Sequence, residues 1–147
     1  MSPSLRDNAL DALMQPLEGG LLRWPQAGDA LFLRAREGAA LHAAGTRGFA
    51  CTQPFKPEAD RLQRIGADML DEDALPDAKF PLVLVLPPRQ REEARALLAK
   101  ACKAVAAGGI VIASVANDEG AKSREADLKQ LAGSVTTISK HHCRVFW

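Results

Sequence analysis

The residues best suited to chemistry lie in one segment near the carboxyl end of the chain. Positions 117–124 read Asn-Asp-Glu-Gly-Ala-Lys-Ser-Arg and follow an apolar run that predicts a strand. They combine a turn residue, a glycine, two cations and a serine that can cap a helix. Backbone N–H groups at such a helix start can bind an anion. The pattern predicts contact with a phosphate or a partner domain through Asn117, Gly120, Lys122, Ser123 and Arg124.

The same segment has a simpler interpretation that involves no ligand. A helix capped by Ser123, with Lys122 and Arg124 solvated on its surface, would give an identical pattern. The sequence alone leaves both interpretations open.

Other kinds of site lack the residues that they need. A nucleotide or S-adenosylmethionine site on an α/β sheet needs glycines at the first strand-to-helix turn, so that the backbone can approach the ligand. That turn here is Arg34 to Gly38, with one glycine, and no acidic residue follows Cys51-Thr52 to hold a ribose. The consecutive acids 71–73 face different directions, so they form no acid/base pair and are expected to solvate a surface loop.

Metal and nucleophile chemistry are also unsupported. The three histidines and three cysteines have no metal-ligand spacing, and no serine lies in a Gly-x-Ser-x-Gly motif. We therefore expect no catalytic residue, no cofactor site and no metal site in this chain.

Composition indicates an ordinary globular protein. The chain has 147 residues, 47% of them hydrophobic, and a formal net charge of +1, so we expect one domain over 1–147 and no global field that would attract nucleic acid. The cysteines are read as reduced thiols, and the amino terminus has no apolar stretch typical of a signal peptide. These features predict a cytoplasmic protein that does not contact a membrane.

An apolar run from Phe80 to Leu86, stopped by Pro87 and Pro88, is the clearest structural signal. It is too short to span a membrane and apolar on both faces, which is typical of a central parallel strand. An amphipathic helix follows and is expected to end at Gly108-Gly109. In open α/β sheets, ligands bind at the carboxyl edge of such strands.

Strand and helix patterns alternate along the rest of the chain. Together they predict an α/β fold with a mostly parallel sheet, helices on both faces and an antiparallel closing strand. The strand patterns cover 29–34, 48–52, 69–70, 80–86, 110–115, 134–139 and 142–147, and the other helical patterns cover 5–17, 37–44, 58–65 and 123–132.

The chain resembles the N-terminal domain of the bacterial small-subunit ribosomal RNA guanine-N2 methyltransferases. The resemblance is strongest from Phe80 to Trp147, including the Pro-rich turn and the Asn117 to Ser123 loop. Proteins of that family look like two tandem copies of one Rossmann-like methyltransferase fold, of which the second carries the cofactor motif and an Asn-Pro-Pro-Phe motif. Here the corresponding tetrad has Leu86 in place of the Asn and Arg89 in place of the aromatic residue.

The resemblance implies a degenerate, non-catalytic copy that forms the N-terminal half of a longer enzyme. It would support a catalytic methyltransferase domain in cis and help to hold ribosomal RNA, with Arg89 as a further candidate contact. S-adenosylmethionine would bind the parent enzyme and not this segment. Two alternatives remain open: a free-standing small methyltransferase or cofactor-binding protein, and a purely structural domain that stabilises the active half without touching RNA.

Overall fold

The computed structural model describes residues 10, 12–14, 30–36, 49–116, 121–132, 137–140 and 143–146. Leu10 and residues 12–14 are helical and buried, and the rest of the helix predicted at 5–17 lies outside the described residues, as does the helix predicted at 37–44. The described elements are β1 (Ala30–Leu33), β2 (Ala50–Cys51), α1 (Lys56–Arg64), β3 (Asp68–Met69), a 3-10 turn (Glu72–Ala74), β4 (Phe80–Val85), α2 (Arg91–Ala104), β5 (Val105–Ala116), α3 (Ala121–Ala132), β6 (Thr137–Lys140) and β7 (Cys143–Phe146).

The described strands form one sheet in the order β3-β2-β1-β4-β5-β7-β6. The first five in this order are parallel, whereas β7 runs antiparallel to both β5 and β6. The predicted α/β class, with a mostly parallel sheet and an antiparallel closing strand, is confirmed. No helix among the described residues is long and apolar enough to cross a membrane.

Strand β4 lies at the centre of the sheet, and both of its faces are covered. Leu84 belongs to an apolar cluster on one face, together with Phe32 and Leu62. Val83 and Val85 belong to the cluster on the other face, which includes residues of α2 and α3. All three β4 residues are fully buried. This two-sided burial explains the continuous apolar run in the sequence.

The end of α2 differs from the prediction. The helix ends at Ala104, and Gly108-Gly109 lie within β5 at a break in its register, where Phe80 pairs with Val105 but Leu82 pairs with Ile110. Gly108 has a φ of +77°, and a Cβ on Gly109 would lie 2.8 Å from the backbone oxygen of Pro81. The two glycines therefore allow a β-bulge within β5 and do not end the helix.

The start of α1 also differs. The helix begins at Lys56 and not at Glu58, with Pro57 in its first turn. Proline fits there because the N–H groups of a first helical turn have no partner within the helix.

Candidate functional site

The carboxyl edge of the sheet contains the crevice where this fold class binds its ligands. The strand order reverses between β1 and β4, so the chain leaves these two adjacent strands in opposite directions along the sheet. Arg34 follows β1, and a Pro-Pro turn after β4 leads into α2. These two segments border the crevice.

Arg34 lies at this crevice, held by an extensive set of polar contacts. Its backbone has a left-handed φ of +57°, and its N–H donates to Oγ1 of Thr52 at 3.1 Å. Its guanidinium donates to both carboxylate oxygens of Glu72, at 2.7 and 3.0 Å, and to Oε1 of Glu93 at 2.8 Å. Because Glu93 lies in the first turn of α2, the second ion pair joins the end of β1 to the helix that follows β4. Charge-assisted contacts of this kind are the stronger class of hydrogen bond.

Glu72 is a residue of this candidate site that the sequence interpretation missed. The expectation that acids 71–73 solvate a surface loop is wrong for Glu72, whose side chain is 18% exposed. Its carboxylate also accepts from the Thr52 hydroxyl at 3.1 Å and lies 3.8 Å from Nζ of Lys100. The hydrogen bonds from Arg34 hold the pKa of Glu72 below its ordinary value, against the opposing effect of burial. Three consecutive acids give no signal of such a contact, because the partners come from distant strands.

A cavity of about 180 Å³ lies beside this network, next to Lys100 and Lys103. Its charged walls are already paired: Lys100 lies 3.2 Å from Asp73, and Lys103 lies 3.8 Å from Asp77. It is smaller than the roughly 300 to 1,000 Å³ of usual ligand pockets. The cavity therefore gives no independent indication of a ligand.

The turn after β4 presents an apolar side chain where the resemblance places an asparagine in active copies. Leu86 is 5% exposed, and its N–H donates to the carbonyl of Leu33 at 3.4 Å. Pro87 is buried, and Arg89 is exposed. A leucine side chain has no group that can accept a hydrogen bond from a substrate amine.

Arg124 anchors this same turn. The sequence suggested an exposed cation, which is wrong, since the residue is only 3% exposed. Its Nη2 donates to the backbone carbonyl of Arg89. The structure thus brings two of the predicted site residues together, with Arg124 inside the protein and the side chain of Arg89 outside.

Asp127, one turn further along α3, is a second buried polar residue at this position, at 4% exposure. Its Oδ1 lies 3.4 Å from Nη2 of Arg91 and 3.6 Å from Nε of Arg95. The sequence interpretation singled out none of these three residues. The i, i+4 spacing of Arg91 and Arg95 was the available signal, because it places both on one side of α2.

The remaining predicted site residues are only partly described. Lys122 is exposed. Ser123 is the third residue of α3, which begins at Ala121, so the prediction that Ser123 caps this helix is wrong. Asn117 and Gly120 lie outside the described residues.

Cys51 and Cys102 are free thiols. Cys51 is buried, its Sγ lies 3.3 Å from Sδ of Met69, and burial raises its pKa to about 12. Burial also raises the pKa of Cys102. Such thiols are poor nucleophiles and poor metal ligands, because the reactive form is the thiolate. No group of three potential metal ligands occurs among the described residues, which do not include the histidines.

Comparison with solved structures identifies the fold. The chain is similar to the T. thermophilus 16S rRNA N2 methyltransferase RsmC in complex with AdoMet and guanosine, with a TM-score of 0.74 at 15% identity. The match covers 98% of this chain and 39% of that enzyme, so the chain spans about two fifths of its length. The chain therefore has a Rossmann-like methyltransferase fold, and that part of the prediction is confirmed.

Smaller S-adenosylmethionine-dependent methyltransferases are also similar. A TehB-like enzyme from Corynebacterium glutamicum matches with a TM-score of 0.62 at 13% identity, over 91% of this chain and 86% of its own. One from Thermotoga maritima matches with a TM-score of 0.61 at 13% identity, over 94% and 87%. No family model and no curated protein sequence matches the chain. At these identities the similarity establishes the fold alone.

Proposed function

We propose that this chain is the accessory, non-catalytic domain of an S-adenosylmethionine-dependent rRNA guanine-N2 methyltransferase. It would assist in binding the RNA substrate and support a catalytic methyltransferase domain in cis, in the cytoplasm. The similarity to an rRNA methyltransferase over 98% of this chain but 39% of that enzyme supports the idea of one domain within a longer protein.

The observation that carries the non-catalytic role is the ion-pair network of Arg34. Its guanidinium, fixed by Glu72 and Glu93, lies at the strand ends where a cofactor would bind in this fold class. A ligand there would have to break charge-assisted hydrogen bonds and would leave half-buried charges unpaired, at a cost of about 1 to 3 kcal/mol for each group. Leu86 adds a second reason, since it cannot hold a substrate amine.

A free-standing small methyltransferase is the second candidate function. The observation in its favour is the coverage of the two smaller enzymes, 86% and 87% of their lengths, by a chain of this size. The two candidates differ in one property that is simple to measure, which is affinity for S-adenosylmethionine.

Calorimetric titration of the 147-residue chain with S-adenosylmethionine should therefore give no heat of binding. The physical reason is that carboxylates already hold the guanidinium of Arg34 at the strand ends where this fold class binds its ligands. A micromolar dissociation constant, about −8 kcal/mol, would overturn the non-catalytic role and favour the small enzyme. A parallel titration of an active methyltransferase of the same fold confirms that the conditions detect binding.

A further inference from the structure

We propose that this domain contacts RNA phosphates through a basic surface at the amino ends of α2 and α3, formed by Arg89, Arg91, Arg95 and Lys122. The inference rests on the proposed function and adds the residues that would meet the RNA. It also moves the predicted contact away from Arg124, whose side chain is buried.

The fold places these four cations on adjacent elements, in the turn before α2 and in the first turns of α2 and α3. α2 follows the carboxyl end of β4 and α3 follows that of β5, and the two helices pack together. Both therefore begin at the edge of the sheet where this fold class meets its ligands. The buried guanidinium of Arg124 on α3 fixes the backbone of Arg89 just ahead of α2, so the turn and the two helices form one frame.

Asp127 is the positioning residue of this surface. From its buried site on α3 it pairs through one oxygen with both Arg91 and Arg95, whose side chains remain 61% and 54% exposed. A guanidinium has five N–H donors, so each arginine keeps donors that face solvent. Two arginines oriented on one side of a helix, with donors to spare, suit the bidentate binding of phosphate.

Acids near this surface offset part of its positive charge but leave its cations in excess. Glu93 is paired with Arg34, and Asp127 is shared by Arg91 and Arg95. Glu92 is exposed three residues before Arg95, so these two side chains are neighbours on the surface of α2. On α1, Lys56 pairs with Asp60 and Arg61 pairs with Glu58.

The test measures binding of a fluorescein-labelled hairpin from small-subunit rRNA by anisotropy over a range of salt concentrations. Two double variants remove two cations each: Arg91→Gln with Arg95→Gln, and Arg89→Ala with Lys122→Ala. Glutamine keeps a hydrogen-bond donor for Asp127. Each pair should reduce the slope of log affinity against log salt by about 1.4 to 1.8, because each phosphate contact contributes about 0.7 to 0.9. At 0.1 M salt this corresponds to about 25-fold weaker binding or more.

The matched control is Arg61→Gln with Arg64→Gln, which removes the same charge from α1 and should change affinity less than about twofold. Circular dichroism melts confirm that each variant is folded at the temperature of the assay. An equal loss of RNA affinity in the control pair would mean that binding depends on net charge alone, and it would overturn the proposal. Unchanged RNA affinity in both test pairs would also overturn the proposal. This holds even if the variants weaken association with a catalytic domain.

Asp127→Asn separates positioning from charge. The change makes the domain more positive, so net charge alone predicts tighter RNA binding, whereas loss of orientation predicts weaker binding with a similar salt slope. Tighter binding would contradict the role given to Asp127. An unchanged affinity and salt slope in both test pairs overturns this surface even where S-adenosylmethionine does not bind, so its failure is distinct from failure of the proposed function.

Discussion

Replacing Leu84 by Ala is expected to lower the free energy of unfolding by about 2 to 5 kcal/mol. Leu84 is fully buried at the centre of the sheet, where its register partners are Phe32 on β1 and Ile112 on β5. Truncation removes apolar contact and leaves a cavity that these strands cannot close. Because whole domains are stable by only about 5 to 15 kcal/mol, the variant should be marginally folded.

Urea unfolding followed by circular dichroism measures this loss. Leu131→Ala is the matched control, since Leu131 is 48% exposed and the same truncation there should cost less than about 1 kcal/mol. A loss below about 0.5 kcal/mol for Leu84→Ala would show that β4 is not central to the core.

Replacing Arg34 by Ala is expected to cost about 1 to 3 kcal/mol at neutral pH, because three guanidinium hydrogen bonds to carboxylates are lost. Alanine retains a Cβ, so the cost of the left-handed backbone at φ +57° stays in both proteins. The difference between them therefore reports the side-chain contacts. Glycine at this position would mix that loss with relief of backbone strain.

The cost should depend on pH with a definite sign. The pKa of Glu72 is lowered in the folded state, so its contribution is complete above its unfolded pKa of about 4.3 and is lost as pH falls through the folded value. The pKa of Arg34 is raised, chiefly by its hydrogen bond to Glu72, so the arginine stays charged throughout this range. Wild type and Arg34→Ala should thus differ most near pH 7 and converge in acid.

Urea midpoints measured from pH 7 down to about pH 3 test this dependence. Arg61→Ala serves as the control, because Arg61 forms an exposed pair with Glu58 and its removal should cost less than about 1 kcal/mol. A difference between wild type and Arg34→Ala that stays constant with pH would mean that Glu72 is not the partner that matters.

Local patterns in the sequence were sufficient for most of the fold. The apolar run from Phe80 to Leu86 predicted a central parallel strand because burial on both faces leaves a continuous apolar signature, and the observed strand covers Phe80–Val85. The closing strands were predicted as antiparallel because two strand patterns follow each other without a helix, and β6 and β7 confirm this pairing. The connection between them at 141–142 lies outside the described residues.

Tertiary contacts explain what the sequence could not show. Gly108-Gly109 looked like a helix end, because a glycine pair gives the same signal at a helix end and at a bulge, and only the approach of the Pro81 backbone decides between them. Burial of Arg124 depends on the distance between α3 and the turn at Arg89, which no spacing within either segment encodes.

The candidate site, like the fold, could be predicted from the sequence only in part. The sequence directed attention to the carboxyl edge, because parallel α/β sheets bind their ligands there. It did not reveal the pairing of Arg34 with Glu72, which lie 38 residues apart. Nor did it reveal that Asp127 pairs with Arg91 and Arg95, because the aspartate lies on another helix, 36 residues from Arg91.

The central claim, a role in guanine-N2 methylation of small-subunit rRNA, is tested most directly by nucleoside mass spectrometry. Small-subunit rRNA would be purified from cells that carry an in-frame deletion of the codons for residues 1–147, and from the same cells complemented with the intact gene. The account predicts that the deletion lowers the content of N2-methylguanine in this rRNA and that complementation restores it, because the catalytic half would lose its support and its RNA contacts. Unchanged N2-methylguanine in the deletion strain would contradict it.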